Sequence, residues 1–340
     1  MDKQDTILIT GVAGLLGWNF ANYLLQETQH KVIGVDALEG WGNDNMIEPQ
    51  ERYKFYRIYL GEQDPLHKLD QIVEENDVKC IYHFASYAAE GLSPFMRHFN
   101  YVQNTLATAQ VINTCIKYNC KLIYTSSMAV YGKGVCIDPT KTFDENDQPS
   151  PIDPYGIAKY GCEMDIKVAG EQHGMDWVII RPHNVFGVGQ NVNDRYRNVL
   201  GIWMHQAFVK EPMTIYGDGN QERAFTFIDN ILEPLYKSAN LSHEVINIGG
   251  IQGTTINHAC QVIAKITDWD NIVYLEPRHE VKRAIPNPSK SIKILDYEDK
   301  ISFEEGVIRM WNWVVDSQRV KDWYVWDNFE LDKGIYKYWK

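Results

Sequence analysis

Tyr155 and Lys159, in the stretch DPYGIAKYG from Asp153 to Gly161, stand four residues apart directly behind a proline. Asp153 is suited to cap a helix and Pro154 to fill its first position, where no amide hydrogen is needed, so a helix is expected to begin here. At 3.6 residues per turn the two side chains share a face, which lets an ammonium group act on a phenol oxygen as an acid/base unit. The same spacing also describes two amphipathic side chains covering apolar surface, so the context decides. A free phenol titrates near pH ~10; bringing it to ~7 takes about three units, or roughly 4 kcal/mol of preferential phenolate stabilisation.

A second group of residues could hold phosphates. TGVAGLLGWNF places glycines at 11, 14 and 17, between a short apolar run and a helical pattern. Glycine permits the tight turn, lets the backbone approach a diphosphate and lets the helix pack on the strand, while the helix N-terminus offers amides and positive dipole. Asp36 follows Gly17 by 19 residues, where a carboxylate can bind adenosine ribose hydroxyls. An acid there repels a 2′-phosphate, and the following ALEG has no arginine to receive one, so NAD is expected in preference to NADP. The contacts expected at this end are Gly11, Gly14, Leu15, Leu16, Gly17 and Asp36.

The elements that must position these groups alternate along the first half. TILIT (6–10), KVIGVD (31–36), YKFYRIY (53–59), KCIYHFA (79–85), KLIYTSS (121–127) and DWVIIRP (176–182) read as strands. Between them LLGWNFANYLLQ, LHKLDQIVEE and TLATAQVINTCIKY have helical apolar spacing. The expected fold is therefore α/β, a doubly wound parallel sheet. From about residue 184 the pattern turns irregular, and a smaller C-terminal substrate-binding region is expected over 184–318, with 224–250 returning to the sheet; residues 1–183 form the cofactor-binding domain.

Bulk properties narrow the function. The 340 residues are 44% hydrophobic and carry a net charge of −12, with no basic block to bind nucleic acid or an anionic membrane. No apolar run approaches the roughly 20 residues of a membrane-spanning helix. Cys80, Cys115, Cys120, Cys136, Cys162 and Cys260 are scattered without C-x-x-C pairs, and no signal segment opens the chain, so the cytoplasm is expected. The ten histidines show no metal-binding spacing, and no metal is expected.

Gly11-x-x-Gly14-x-x-Gly17, then TSSMAVYG (125–132), then Tyr155-x-x-x-Lys159, in that order, resemble the extended short-chain dehydrogenase/reductase family with its Rossmann sheet, and within it the nucleotide-sugar epimerases typified by UDP-glucose 4-epimerase. The resemblance runs from residue 6 to about 315. It implies a catalytic group of Ser127, Tyr155 and Lys159, with Ser126, Leu60, Ala85, Asn104 and His183 beside the cofactor. It also implies a UDP-sugar held by Ser127, Asn184, Asn198, Val199, Tyr216, Arg223 and Arg278, and a homodimer formed through two helices, about 101–118 and 155–172. Tyr59 stands where relatives often have an aspartate near the adenine, and Ala88 where the UDP-glucose enzyme has a lysine.

Related 4,6-dehydratases carry an Asp-Glu pair directly after the hydroxyl residue, and sugar-acid decarboxylases a glutamate; here Met128 and Ala129 follow Ser127, and Ala129 also replaces the cysteine of 3,5-epimerases. By subtraction, oxidation and re-reduction at C4 of the sugar is expected. A dehydratase or reductase working through a 4-keto-sugar, or a non-catalytic nucleotide sensor, is the alternative. Ile285 occupies the position whose bulk governs N-acetyl sugars in relatives. Glu90 and Arg97 are expected near the pocket mouth, as sugar-reading groups or as solvated charges at a helix start. Residues 319–340, with Trp323, Trp326 and Trp339, lie beyond the resemblance and are expected to pack on the protein's own surface, over the sugar pocket or at a subunit contact.

Overall fold

A computed structural model describes residues 4–38, 45–61, 67–135 and 141–339. Seven parallel strands form the central sheet: β1 (Thr6–Thr10), β2 (Lys31–Asp36), β3 (Tyr53–Arg57), β4 (Val78–His83), β5 (Lys121–Thr125), β6 (Trp177–His183) and β7 (Glu244–Gly249). Their order is 3-2-1-4-5-6-7, so the winding reverses between β1 and β4. At such a reversal the loops after the two strands run apart and leave a crevice at their carboxyl ends.

Alternation along β1 feeds two cores. Ile7 and Ile9 pack on one face with Phe20 and Leu24 of α1 (Leu15–Glu27), while Leu8 packs on the other with Leu69 of α2 (Lys68–Glu75) and Val111 of α3 (Ala107–Tyr118). Burial on both faces explains why these strands read as continuous β-branched runs. Helix α4 (Pro154–His173) starts as its sequence implies: the Asp153 Oδ1 accepts the Gly156 N–H at 2.8 Å, with Pro154 at the first turn. It ends at Gly174, which has φ +70°.

Beyond β6 the chain builds the far wall of the crevice. Helix α5 (Val199–Val209) is capped by the Asn198 side chain. A three-stranded patch pairs Glu222–Ala224 with Gly253–Thr255 and Arg283–Ala284, and Met213–Tyr216 runs parallel to Ile272–Leu275. The last segment folds back: Trp323 stacks on His205 with centroids 3.5 Å apart, and Tyr324 makes a bridge with Asp194.

Candidate active site

A cavity of about 530 Å³ lies between the carboxyl ends of the sheet and the C-terminal region. Its first end is the β1–α1 turn. Gly11 has φ +70°, and a Cβ there would sit 2.7 Å from the Ala85 amide nitrogen; a Cβ on Gly17 would sit 2.2 Å from the Gly11 carbonyl oxygen. Only glycine lets backbone, helix and neighbouring loop meet this closely. Asp36 accepts the Ala13 and Leu38 amides at 2.9 and 2.8 Å, which fixes its carboxylate at the cavity wall. Burial pushes the Asp36 carboxyl up, and those backbone donors oppose the shift. A bare turn and an α1 N-terminus facing the cavity, followed by a carboxylate at the end of β2, fit a dinucleotide such as NAD. Gly14, Leu15, Leu16, Leu60, Ala85 and Ser126 line the same space. Glu39 and Gly40, which bear on the choice between NAD and NADP, lie outside the described residues.

Ser127, Tyr155 and Lys159 line the same cavity and are 7%, 5% and 3% exposed, so all three side chains are shielded from bulk water. Ser127 ends the β5 connection, with its Oγ accepting the Ala129 N–H at 3.1 Å. Lys159 Nζ donates to the Thr125 carbonyl at 2.8 Å and lies 5.9 Å from the centre of the Tyr155 ring. The strand carbonyl thus holds the lysine beside the Tyr155 ring, on the helix face the two residues were expected to share. Burial lowers the Lys159 ammonium to about 8, with Cys162 and Glu163 opposing the shift.

Burial also raises the Tyr155 phenol, and the charge of Glu90 raises it further, while hydrogen bonding with Ser127 favours the ionised form. Glu90 keeps accessible surface along the cavity yet lies deep among protein atoms. Desolvation, then the charge of Asp153, lifts its carboxyl to about 7. Asp153 itself rises to about 6, chiefly by burial. The Ser93 hydroxyl donates to the Glu90 carbonyl at 2.9 Å and accepts the Tyr155 amide at 3.2 Å, tying the glutamate's loop to the first turn of α4.

At the far end stand Asn184, Asn198, Val199, Tyr216, Arg223 and Arg278. Arg278 lies over the Tyr216 ring at 4.1 Å, and Arg223 pairs with Glu280 at 2.8 Å. Planar guanidinium forks such as these two can hold phosphate oxygens in two directions.

Residues 7–249 match the model of the NAD dependent epimerase/dehydratase family. The chain belongs to that family. It is 28% identical to a putative UDP-glucose 4-epimerase of Methanocaldococcus jannaschii, over 92% of this chain and 99% of that protein. It is also 28% identical to a UDP-glucuronate 4-epimerase of Thermodesulfobacterium geofontis, over 90% and 95%. The structure of UDP-glucuronic acid 4-epimerase from Bacillus cereus, solved with UDP-glucuronic acid and NAD, covers 92% of this chain and 99% of its own with a TM-score of 0.82 at 26% identity.

The cavity wall differs from expectation at two positions, His183 and Asn104. His183 does not line the cavity: it sits between Pro182 and Asn184, which do, and strand alternation turns its ring into the core, where burial lowers it to about 3. Asn104 is likewise a layer behind. Its Nδ2 donates to the Asn100 carbonyl and its Oδ1 accepts the Ser86 hydroxyl at 2.7 Å, so Ser86 meets the cavity in its place. Ile285 is buried with its Cδ1 against Gly253, away from the cavity lining. Of the two charges expected at the pocket mouth, Glu90 faces the cavity, while Arg97 is exposed at the start of the helix Arg97–Tyr101 and bonds the Pro94 carbonyl, the solvated alternative.

Sequence reasoning missed the support beneath Ser126 and the 155–159 face of α4. Ser126 Oγ donates to Glu163 Oε1 at 2.5 Å, and Arg181 clamps the same carboxylate. Glu163 continues the 155, 159 series at the next helical turn, a signal that was legible. Arg195, Tyr336 and Tyr338 also line the cavity and had no motif to announce them.

Proposed function

We propose that the protein is an NAD-dependent epimerase that inverts C4 of the sugar in a UDP-sugar. One observation supports this most: Ser127, Tyr155 and Lys159 share a single cavity with the glycine turn and with Arg223 and Arg278. Gly11, Gly17 and Asp36 would hold the dinucleotide, which when bound accepts and returns hydride. Tyr155 takes the proton of the C4 hydroxyl as base and gives it back as acid. Ser127 hydrogen-bonds the same sugar oxygen and holds it in line. Lys159, protonated below its lowered pKa of about 8, favours the phenolate from behind. Met128 and Ala129 line the cavity next to Ser127 without an acid group, which fits a reaction that removes no water. The relatives named as UDP-glucose and UDP-glucuronate 4-epimerases support the UDP-sugar class.

The test is conversion of a panel of UDP-sugars followed by NMR. An epimeric product of unchanged mass is expected, with Tyr155→Phe lowering kcat by about 10²–10⁴-fold while NAD stays bound. Full activity of that variant would sink the scheme. The second reading, a dehydratase, draws on Glu90, a cavity carboxyl raised to about 7 that could serve as the eliminating acid; a product lighter by one water would favour it.

The assembly that goes with this reading is a homodimer. Ile157, Met164 and Val168 form an exposed apolar stripe along α4, and Leu106 is exposed just ahead of α3, which supports pairing through these helices. A cytoplasmic setting goes with the five described cysteines being free thiols, all buried.

A further inference from the structure

We propose that residues 319–339 are a substrate-binding element, with Tyr336 and Tyr338 forming the wall that receives the nucleobase. The assignment rests on the nucleotide-sugar reading and follows from which groups adjoin one another in the cavity wall. A sugar reacting at Tyr155 extends its diphosphate toward Arg223 and Arg278. A Cβ on Gly91, the residue after Glu90, would lie 3.3 Å both from Arg278 Nη1 and from the Trp339 ring, so the phosphate seat and the folded-back segment adjoin there. One step farther is Tyr216, with the Arg278 guanidinium 4.1 Å from its ring centre and the Tyr336 ring 6.0 Å away. The two rings are tilted 57° to each other and form an aromatic wall of the cavity beside the two arginines, which suits a flat, uncharged base that gains by stacking on such rings.

The wall is held in place before any ligand arrives. Gln206 Nε2 donates to the Tyr338 hydroxyl at 3.1 Å, and Arg195 Nη2 donates to the Tyr338 carbonyl at 2.6 Å. Upstream, the Glu330 carboxylate accepts the His98 and Phe99 amides at 2.7 and 2.8 Å. Trp339 is buried, its ring edge-on to Phe95 and to Tyr196. A strap pinned on both sides of the cavity contributes binding surface without an ordering cost at each encounter.

The experiment measures binding of UDP and of inorganic pyrophosphate to the full, NAD-loaded chain by calorimetry, with Tyr336→Ala, Tyr338→Ala and Tyr336→Phe. Both alanine variants should weaken UDP by about ten-fold or more and pyrophosphate by less than about two-fold, while Tyr336→Phe keeps UDP affinity within about two-fold. UDP affinity unchanged in both alanine variants, or UDP and pyrophosphate weakened together, overturns the assignment and leaves the nucleotide-sugar reading standing. An unsubstituted chain that binds pyrophosphate but shows no preference for UDP overturns both.

Discussion

Glu163 and Arg181 form a two-pronged ion pair, Nε to Oε1 at 2.8 Å and Nη2 to Oε2 at 2.6 Å, with side chains 0% and 2% exposed. The arginine also donates to the Tyr131 hydroxyl at 2.7 Å, which in turn donates to Asn247 Oδ1 at 2.8 Å, so α4, β6, β7 and the segment after β5 meet at one buried charge cluster. Arg181→Leu strands a carboxylate in the core and should destabilise the fold by about 3–5 kcal/mol. Thermal melting checks this; an unshifted transition would show that Glu163 finds another partner.

Removing the charge of Glu90 should move the pH profile. Its carboxylate raises the Tyr155 phenol, so Glu90→Gln lowers the phenol and shifts the rising limb of kcat/KM to lower pH. A limb that stays put, or moves upward, would separate Glu90 from the base.

Lys159 gives the opposite limb. Burial lowers its ammonium to about 8, so the cation that favours phenolate is present below that pH and lost above it. Activity of the parent should fall as pH rises through about 8, and Lys159→Arg, charged throughout, should lose this fall while keeping measurable turnover. A fall at the same pH in the arginine variant would assign it to another group.

Gly17→Ala should abolish or severely weaken NAD binding, because its methyl would lie 2.2 Å from the Gly11 carbonyl and push α1 off the turn. Cofactor content after purification, read by absorbance and fluorescence, is the measurement. Stoichiometric NAD in the variant would disprove the tight-cradle account.

Met164→Lys places a charge in the exposed apolar stripe of α4 and should halve the solution mass by light scattering without lowering the melting temperature by more than about 2 °C. An unsubstituted chain that is already monomeric would retire the dimer.

The cofactor end was legible because its signals are local. The strand at 6–10, the strand at 31–36 and the glycine spacing between them need no distant partner to be read, and the residues expected there meet in the cavity. The misplaced residues are ones where a single step along an element changes the face presented. His183 lies one strand residue from Asn184, and Asn104 one helical residue from Gln103, yet in each pair only the second reaches the cavity. The Arg195, Tyr336 and Tyr338 contributions were illegible for another reason: more than a hundred residues separate Arg195 from Tyr338, which it fixes, and only tertiary packing joins them.

Because Trp323, Glu330 and Trp339 fasten the closing strap to elements outside the seven-stranded sheet, a protease cutting near residue 320 would spare the two cores that flank the sheet and strip one side from the cavity, uncovering Phe95, Met96 and Tyr196. If the strap receives the nucleobase as proposed, such a nicked chain would keep its sheet while choosing poorly among nucleotides, and loss of selectivity would mark damage at this edge.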